Sequence, residues 1–230
     1  MDPIQIISLT LGAAWASGIN LYAAVLVLGY LGVTGEIFLP PELQILTNPL
    51  VLGAAALMYV IEFFADKIPG MDSGWDLVHT FIRIPAGAAL AAGMAQGLDI
   101  SSGAEFAALL VGGGVAATSH TAKAGSRMLI NTSPEPISNW SASIVEDIAV
   151  VGGLWASLQF PWIFVAGLVL FLLLVAWLLP RIWRALKQAL CVLRNLFKGR
   201  NAVSHEIANV DDHKADLLRA LYQDSAEKNR

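Results

Sequence analysis

Six long apolar stretches make up most of the chain, and short polar segments separate them. Each stretch holds roughly the 20 mostly apolar residues that a helix needs to cross a bilayer. They cover Ile4–Val33, Pro49–Ile68, Asp76–Gly97, Ala104–Leu129, Asn139–Leu158 and Trp162–Leu179. The pattern predicts an all-α, polytopic membrane helix bundle with six transmembrane helices, whose main partner is the lipid bilayer.

The pattern changes after the sixth stretch. Residues 181–200 place apolar side chains on one side and Lys and Arg mostly on the other, which predicts a basic amphipathic helix along the inner leaflet. A solvated continuation of the sixth helix is the alternative. Residues 201–230 form a polar cytoplasmic tail, in which a short helix for homo-oligomer formation and disorder are equally compatible with the sequence. Three parts are thus predicted: 1–180, 181–200 and 201–230.

Composition supports the membrane class. Hydrophobic residues make up 56% of the 230 residues, charged residues 14%, and mean hydropathy is +0.63. The formal net charge of -4 argues against nucleic-acid binding, which requires a basic patch. The single cysteine excludes an internal disulfide and a zinc site built from cysteines alone. Nothing in the sequence requires a cofactor.

The distribution of Lys and Arg predicts the orientation, because these residues stay on the cytoplasmic side during insertion. With six spans and the amino end inside, the outer loops hold none of the 14 Lys and Arg residues. This partition predicts a protein of the bacterial inner membrane with both termini in the cytoplasm.

A weak internal similarity suggests two halves of three helices each. The segment Gly12–Ser17 aligns with Gly114–Ser119, and Glu62 aligns with Glu146. Because each half has an odd number of spans, the halves would form inverted repeats, as in many transporters.

Several ionisable residues fall inside the predicted spans, where each costs roughly 2.5 to 3.5 kcal/mol on insertion scales and is a functional candidate by default. On the second helix Glu62 and Asp66 share a face with Tyr59, and Lys67 lies beside them. The structural alternative is an interfacial helix end from which Asp66 and Lys67 snorkel into water.

The third and fourth helices carry a similar i, i+3, i+7 spacing. The third has Asp76, His79 and Arg83 ahead of Pro85, and the fourth has the potential cations His120, Lys123 and Arg127 after three glycines; we expect both helices to be broken at mid-membrane. The alternatives are a surface helix for the third and a structural ion-pair network for the fourth.

The fifth helix adds oxygen-bearing side chains. Asn139, Ser143 and Glu146 fall on one helical face, and Asp147 follows Glu146. A capped turn would explain Asn139 but not the two buried acids. These residues complete the predicted substrate-binding or proton-relay set.

Combined, these motifs resemble a bacterial membrane-protein family catalogued only as a domain of unknown function. The resemblance rests on Glu62-x3-Asp66-Lys67-x-Pro69-Gly70, His120-x2-Lys123-x3-Arg127 and the segment from Asn131 to Asp147, and it covers roughly residues 4–179. It implies a multi-span membrane fold and no particular activity.

A looser similarity is to cation/proton exchangers that carry Glu-x-Gly-Asp-Lys-Thr/Ser motifs in inverted halves. Here the spacing from Glu62 to Asp66 is one residue longer, and no Lys follows Asp147. In a cation-binding form of the site, the metal ligands would be Glu62, Asp66, Glu146 and Asp147, because hard cations prefer oxygen.

Three functional classes follow. The first is a transporter or translocase for a small ion or an anionic, phosphate-bearing substrate, with carboxylates relaying protons and the basic stripe of the fourth helix holding the anion. The second is an intramembrane lipid-modifying enzyme that uses His79 or His120 paired with a carboxylate. The third is a scaffold whose charges only hold helices together; it predicts that neutralising Glu62 or Arg127 affects stability alone.

Overall fold

A computed structural model of the protein describes residues 1–68, 71–98, 100–130, 136–178 and 180–181. The chain divides into two compact units, Met1–Val175 and Ala176–Arg230. In the described part of the second unit, Arg181 donates to the carbonyl of Trp177 at 3.0 Å and lies over its ring. The helix predicted for 181–200, beyond Arg181, and the tail predicted for 201–230 lie outside the described residues, as does the segment 131–135.

The described residues form helices and no strand, which confirms the all-α prediction. The helices are α1 (Pro3–Thr34), α2 (Pro49–Ala65), α3 (Met71–Ala95), α4 (Ser102–Ile130), α5 (Pro136–Gln159) and α6 (Pro161–Leu178), with short 3₁₀ segments at Pro41–Thr47 and Gln96–Leu98.

Four of the helices in the described residues are long and apolar enough to cross a membrane. They are α1, α3, α5 and α6. A fifth span results if Pro41–Thr47 and Pro49–Ala65, which meet at 64°, count as one broken element. Six spans are therefore not confirmed, although the protein has the helices of a membrane protein.

The first helix folds back on itself. Ile6 lies near the start of this helix, and Pro40 lies beyond its end. Both are close to Gly97, at 3.8 and 3.6 Å from the position that a Cβ on this glycine would take. A straight helix of 32 residues would span about 48 Å, and the six residues after Thr34 reach back at most about 22 Å. Only a hairpin of two helical arms brings both ends to Gly97.

Contacts along α5 support the same arrangement. In the first arm (residues 3–19), Gln5 donates to the carbonyl of Leu158 at 3.4 Å, whereas at the tip Asn20 donates to Asp147 at 3.1 Å. The second arm (residues 21–34) returns along α5, because Tyr30 and Thr34 line the same cavity as Gln5. Both arms therefore end near Gly97, and the tip lies halfway along α5.

The turn between the arms is at Asn20, the one non-helical residue inside α1 (φ −146°, ψ 99°). Its side-chain Oδ1 accepts a hydrogen bond from the Ala23 N–H at 3.0 Å, which caps the second arm as an N-cap residue does. Gly18 lets the tip approach α4, because a Cβ at this position would lie 1.9 Å from Ser119 Oγ. We call residues 17–22 the hairpin tip.

The hairpin is central, and the other helices pack around it. Both α3 and α4 contact it, and each is a single helix, α3 through Pro85 and α4 through Gly112–Gly114. The breaks predicted in these two helices were therefore wrong, and the break lies in α1. The inverted repeat is not confirmed, since α1 folds back whereas α4 runs 29 residues as one helix.

The close approach at the hairpin tip makes a specific prediction. Gly18→Ala forces a methyl group against Ser119 and the carbonyl of Ala116, and overpacking of this kind destabilises by about 1–3 kcal/mol. We expect a lower thermal unfolding midpoint in detergent. Gly114→Ala is the matched control because nothing lies within 4 Å of its Cβ position. Equal midpoints for the two variants would contradict the packing described.

Candidate functional site

Seven charged side chains from four helices meet in the half of the bundle beyond the hairpin tip. α2 and the residue that ends it provide two carboxylates, α3 provides one carboxylate and one cation, α4 two cations, and α5 one carboxylate. We call this set the ion cluster: Glu62, Asp66, Asp76, Arg83, Lys123, Arg127 and Glu146. All except Glu146 have side chains no more than 4% exposed.

Lys123 is at the centre of the ion cluster. Its Nζ lies 3.0 Å from Asp66, 3.3 Å from Glu62, 3.4 Å from Glu146 and 3.8 Å from Asp76. These carboxylates come from three different helices. The ammonium is therefore caged by four carboxylates and holds α4 to its neighbours.

The two arginines lie on either side of this cage. Arg83 donates from Nη2 to Glu62 at 2.6 Å and from Nη1 to Asp76 at 2.9 Å. Arg127 binds both oxygens of Glu146, at 3.1 and 2.7 Å, and also contacts Asp66 at 3.4 Å. Each arginine thus joins one pair of carboxylates, and Lys123 lies between the two pairs.

The formal charges of the ion cluster do not cancel. Four carboxylates face three cations, so that the fully ionised cluster carries one surplus negative charge. Asp147, which follows Glu146, has no cation within ion-pairing distance among the described residues. Such a surplus in a low-dielectric interior is costly, and an added proton or cation would relieve it.

Several polar atoms of the ion cluster lack a hydrogen-bond partner in the described structure. One oxygen each of Glu62, Asp66 and Asp76 is buried without a donor. Buried polar groups are usually satisfied, and bound water or ions are common reasons for exceptions. Three of the four carboxylates around Lys123 therefore keep unused acceptor capacity.

The hairpin tip touches the ion cluster from one side. Ser17 donates to the backbone carbonyl of Arg83 at 2.9 Å. Asn20 donates to Asp147, and the Tyr59 side chain hydrogen-bonds to the same carboxylate. These contacts connect the break in α1 directly to the charged region.

The two histidines lie between the tip and the ion cluster, and Arg83 of the cluster donates to His120 Nδ1 at 3.5 Å. His79 Nδ1 donates to the carbonyl of Trp75 at 2.9 Å, which leaves Nε2 to accept from the Tyr22 hydroxyl at 3.0 Å. His120 lies 2.7 Å from the Thr80 hydroxyl. Among the described residues neither imidazole forms an ion pair with a carboxylate.

The chain matches the family model described as "Domain of unknown function (DUF4126)" over residues 7–181. It belongs to this family. No curated protein and no solved structure matches it. The family assignment agrees with the resemblance noted in the sequence, and no match supports the similarity to cation/proton exchangers.

In this DUF4126 protein most of the predicted site residues come together. Asn139 is buried, and its carbonyl accepts from Arg127 at 3.2 Å, while Ser143 is buried between Asn139 and Glu146 on the same helix. Lys67 lies apart from the ion cluster: it donates to the carbonyl of Phe63 and sits over that ring. The alternative of an interfacial helix end thus fits Lys67 but not Asp66, which is 3% exposed.

Sequence reasoning missed the contribution of α1 to this DUF4126 site. Ser17, Asn20 and Tyr22 reach the ion cluster or its histidines, and none was selected as a candidate. One signal was available, since a 30-residue apolar stretch with polar residues at its middle is too long for one span of about 20 residues.

The predicted metal ligands do not form a metal centre in this DUF4126 structure. Glu62, Asp66 and Glu146 bind the cations of the ion cluster, and Asp147 binds Asn20. Within the described residues, and with Lys123 and both arginines in place, no group of three His, Cys, Asp or Glu residues is arranged to hold a metal ion.

The ion cluster makes a prediction about stability. Arg83→Met leaves Glu62 and Asp76 buried without their closest cation, and breaking a buried pair in this way costs about 3–5 kcal/mol. We expect a large fall in the thermal midpoint of the purified DUF4126 protein. The double variant Arg83→Met/Asp76→Asn removes one charge of each sign and should recover part of the loss, because effects at contacting residues are not additive. Strict additivity would mean that the pair is not coupled.

Proposed function

We propose that this protein transports a small cation across the membrane in exchange with, or together with, protons, and that the ion cluster is the binding site. The observation that carries the proposal is the burial of the cluster: six of its seven charged side chains are no more than 4% exposed, and the tip of a helical hairpin lies against one side of it.

The energetic argument starts from the cost of burying charge. Ionisable side chains inside a membrane cost several kcal/mol each unless they are paired, and they mark ion pathways more often than structural contacts. A buried ion pair is also often no more stable than a well-packed apolar replacement. Stability alone therefore explains seven buried charges poorly, whereas a binding site for a transported ion accounts for them.

The arrangement of the cations favours a cation as cargo over an anion. Arg83, Lys123 and Arg127 each face at least two carboxylates. None of them is available to a phosphate-bearing substrate without first breaking these pairs. The surplus of carboxylate, by contrast, attracts positive charge. We therefore propose a cation as the transported substrate, in place of the anionic substrate that the sequence suggested.

Proton coupling follows from the same charge count. With one surplus negative charge, the ion cluster is neutral only when it holds one more proton or one more monovalent cation. Glu62 is the natural carrier because its side chain is fully buried and one of its oxygens lacks a donor. Binding of the cation would then displace the proton, which couples the two movements.

The hairpin supplies a second element of the proposed pathway. An open pocket of about 830 Å³ is lined by residues of both arms and α5, among them Gln5, Tyr30 and Trp155. Neither the hairpin tip nor the ion cluster contributes to this lining. In transporters, half-helix ends at mid-membrane commonly bind ions and substrate groups, and movement of the tip would connect the pocket to the site.

The hairpin also changes the proposed topology. We propose that α1 is re-entrant and that α2 to α6 make five crossings in the bacterial inner membrane. The amino terminus then lies outside, together with the loop 35–48, and the carboxyl terminus lies inside. Lys67, Lys123 and Arg127 stay in the cytoplasmic half, so that the positive-inside rule is still obeyed. Irregular backbone at membrane depth is tolerated because the tip is buried in protein.

Cysteine labelling tests this topology. In a Cys191→Ser background, Asp2→Cys and Glu36→Cys should react with a membrane-impermeant thiol reagent in right-side-out vesicles, whereas Ile68→Cys should react only after permeabilisation. Labelling of Asp2→Cys and Glu36→Cys from opposite sides would mean that α1 crosses the membrane and that the re-entrant hairpin is wrong.

The other functional classes have less support. An intramembrane enzyme would use His79 or His120 with a carboxylate. Among the described residues, however, the side chains bond to Trp75, Tyr22, Thr80 and Arg83, and to no carboxylate. The scaffold hypothesis differs from ours in one measurable respect: it expects neutral variants to change stability and nothing else.

Reconstitution in vesicles tests transport. We expect the wild type to move protons in response to a gradient of Na⁺, K⁺ or NH₄⁺, followed with an internal pH-sensitive dye. Glu62→Gln keeps the shape of the side chain but cannot exchange a proton, and should reduce the flux at least about tenfold, which corresponds to about 1.4 kcal/mol. Glu105→Gln is the control, because Glu105 bonds to Gln96 and lies outside the ion cluster.

Other outcomes of this vesicle experiment would contradict the proposal or part of it. A folded wild type without cation-dependent proton movement would exclude the proposed function, and lipid scrambling in the same vesicles would point to a translocase instead. Flux in Glu62→Gln equal to that of the wild type would exclude Glu62 as the proton carrier. Loss of stability without a change in flux per folded molecule would support the scaffold.

A further inference from the structure

The centre of the ion cluster is occupied by a group with the charge and shape of a small cation. Lys123 extends from α4, and its Nζ is within 4.0 Å of carboxylate oxygens of Glu62, Asp66, Asp76 and Glu146. The ammonium donates hydrogen bonds to only two of them, Asp66 at 3.0 Å and Glu62 at 3.3 Å, and the other two are held by charge alone. The cage therefore attracts a positive charge but is only partly hydrogen-bonded to this lysine.

The oxygens that contact Lys123 are shared with the arginines. Glu62 Oε1 accepts from both Arg83 and Lys123, and Glu146 Oε2 lies close to both Arg127 and Lys123. Without Lys123, the charged groups of the ion cluster form two units, each with one arginine and two carboxylates. Each unit carries one net negative charge, and Lys123 Nζ lies between them.

Three of the carboxylates that face Lys123 also have an unused oxygen. Glu62, Asp66 and Asp76, which are 0%, 3% and 2% exposed, each have one oxygen without a donor. These oxygens belong to three of the four carboxylates that face Lys123. A free cation could coordinate more oxygens at once than the tethered ammonium does, because its position is not restricted by a side chain.

We infer that Lys123 is a tethered substitute for the cargo: its ammonium fills the site when no ion is bound, and a small monovalent cation replaces it during transport. The inference rests on the proposed function and names the substrate class of that site. A monovalent ion fits because it carries the same charge as the ammonium that it replaces. Asp147, beside Glu146 and with no cation within 4.0 Å among the described residues, is the carboxylate toward which the displaced ammonium moves. Since the ammonium stays nearby, the proton that leaves Glu62 balances the charge of the bound cation.

Truncation of Lys123 tests the inference by binding rather than by transport. Lys123→Ala leaves the cage empty, with room for an ion. We expect its thermal midpoint in detergent to rise by about 5–10 °C at a cation concentration of 100 times Kd, from the linkage of binding to stability. NH₄⁺, K⁺ and Na⁺ are the probes, and choline chloride keeps the ionic strength constant.

Lys123→Met is the matched control. Its side chain fills the space of the lysine without the charge, so that no ion can enter, and its midpoint should not respond to any of the three cations. Lys67→Ala controls for general effects of lysine removal, because Lys67 lies outside the ion cluster. An equal response of Lys123→Ala and Lys123→Met would overturn the inference, as would a folded Lys123→Ala that responds to none.

Folding of Lys123→Ala is itself informative. If it folds only when a small cation is present, the inference is supported. If it folds in no condition, the charge-reduced variant Lys123→Ala/Asp66→Asn is titrated in its place, and a folded double variant without a cation response overturns the inference. A cation response without flux in wild-type vesicles would retain the site but remove the transport function, and flux without a response would do the reverse.

Discussion

The structure depends on the ion pairs that Lys123 forms with carboxylates of three neighbouring helices. An unpaired charge in a membrane interior costs several kcal/mol, so that none of these residues could be buried alone. The carboxylates of α2, α3 and α5 therefore fix where these helices can lie relative to α4. The helix positions, the closed interior and the candidate site all follow from satisfying this one group of charges.

The hairpin of α1 also depends on satisfying buried polar groups. A helix that stops at mid-membrane exposes unsatisfied backbone groups, which is tolerated only inside protein. Here Asn20 caps the second arm, and the Trp15 carbonyl near the end of the first arm accepts from Ser119 at 2.9 Å. The tip can therefore end beside the ion cluster because Asn20 and α4 supply hydrogen bonds to its backbone, while Asp147 of α5 holds the Asn20 side chain.

Sequence patterns predicted the helical class and most of the buried polar residues, because charged side chains spaced by three, four and seven positions in an apolar stretch must share one face of a helix. They did not reveal that α1 folds back. Hydropathy records how apolar a segment is but not its direction, and the polar residues Ser17 and Asn20 are individually common in membrane helices. Pro85 and the three glycines of α4 had the opposite effect: they suggested breaks that the packed neighbours of these helices prevent.

The pairing pattern could not be predicted from spacing either, and it changes the chemistry of the site. His120, Lys123 and Arg127 read along α4 form a cationic stripe, which suggests an anion. In the folded protein, carboxylates from other helices surround Lys123 and Arg127, and the balance of the whole region is negative. The sign of a buried site is thus a property of the assembled helices and not of any one helix. For this reason the cage around Lys123, rather than the stripe on α4, determines which ion the site can accept.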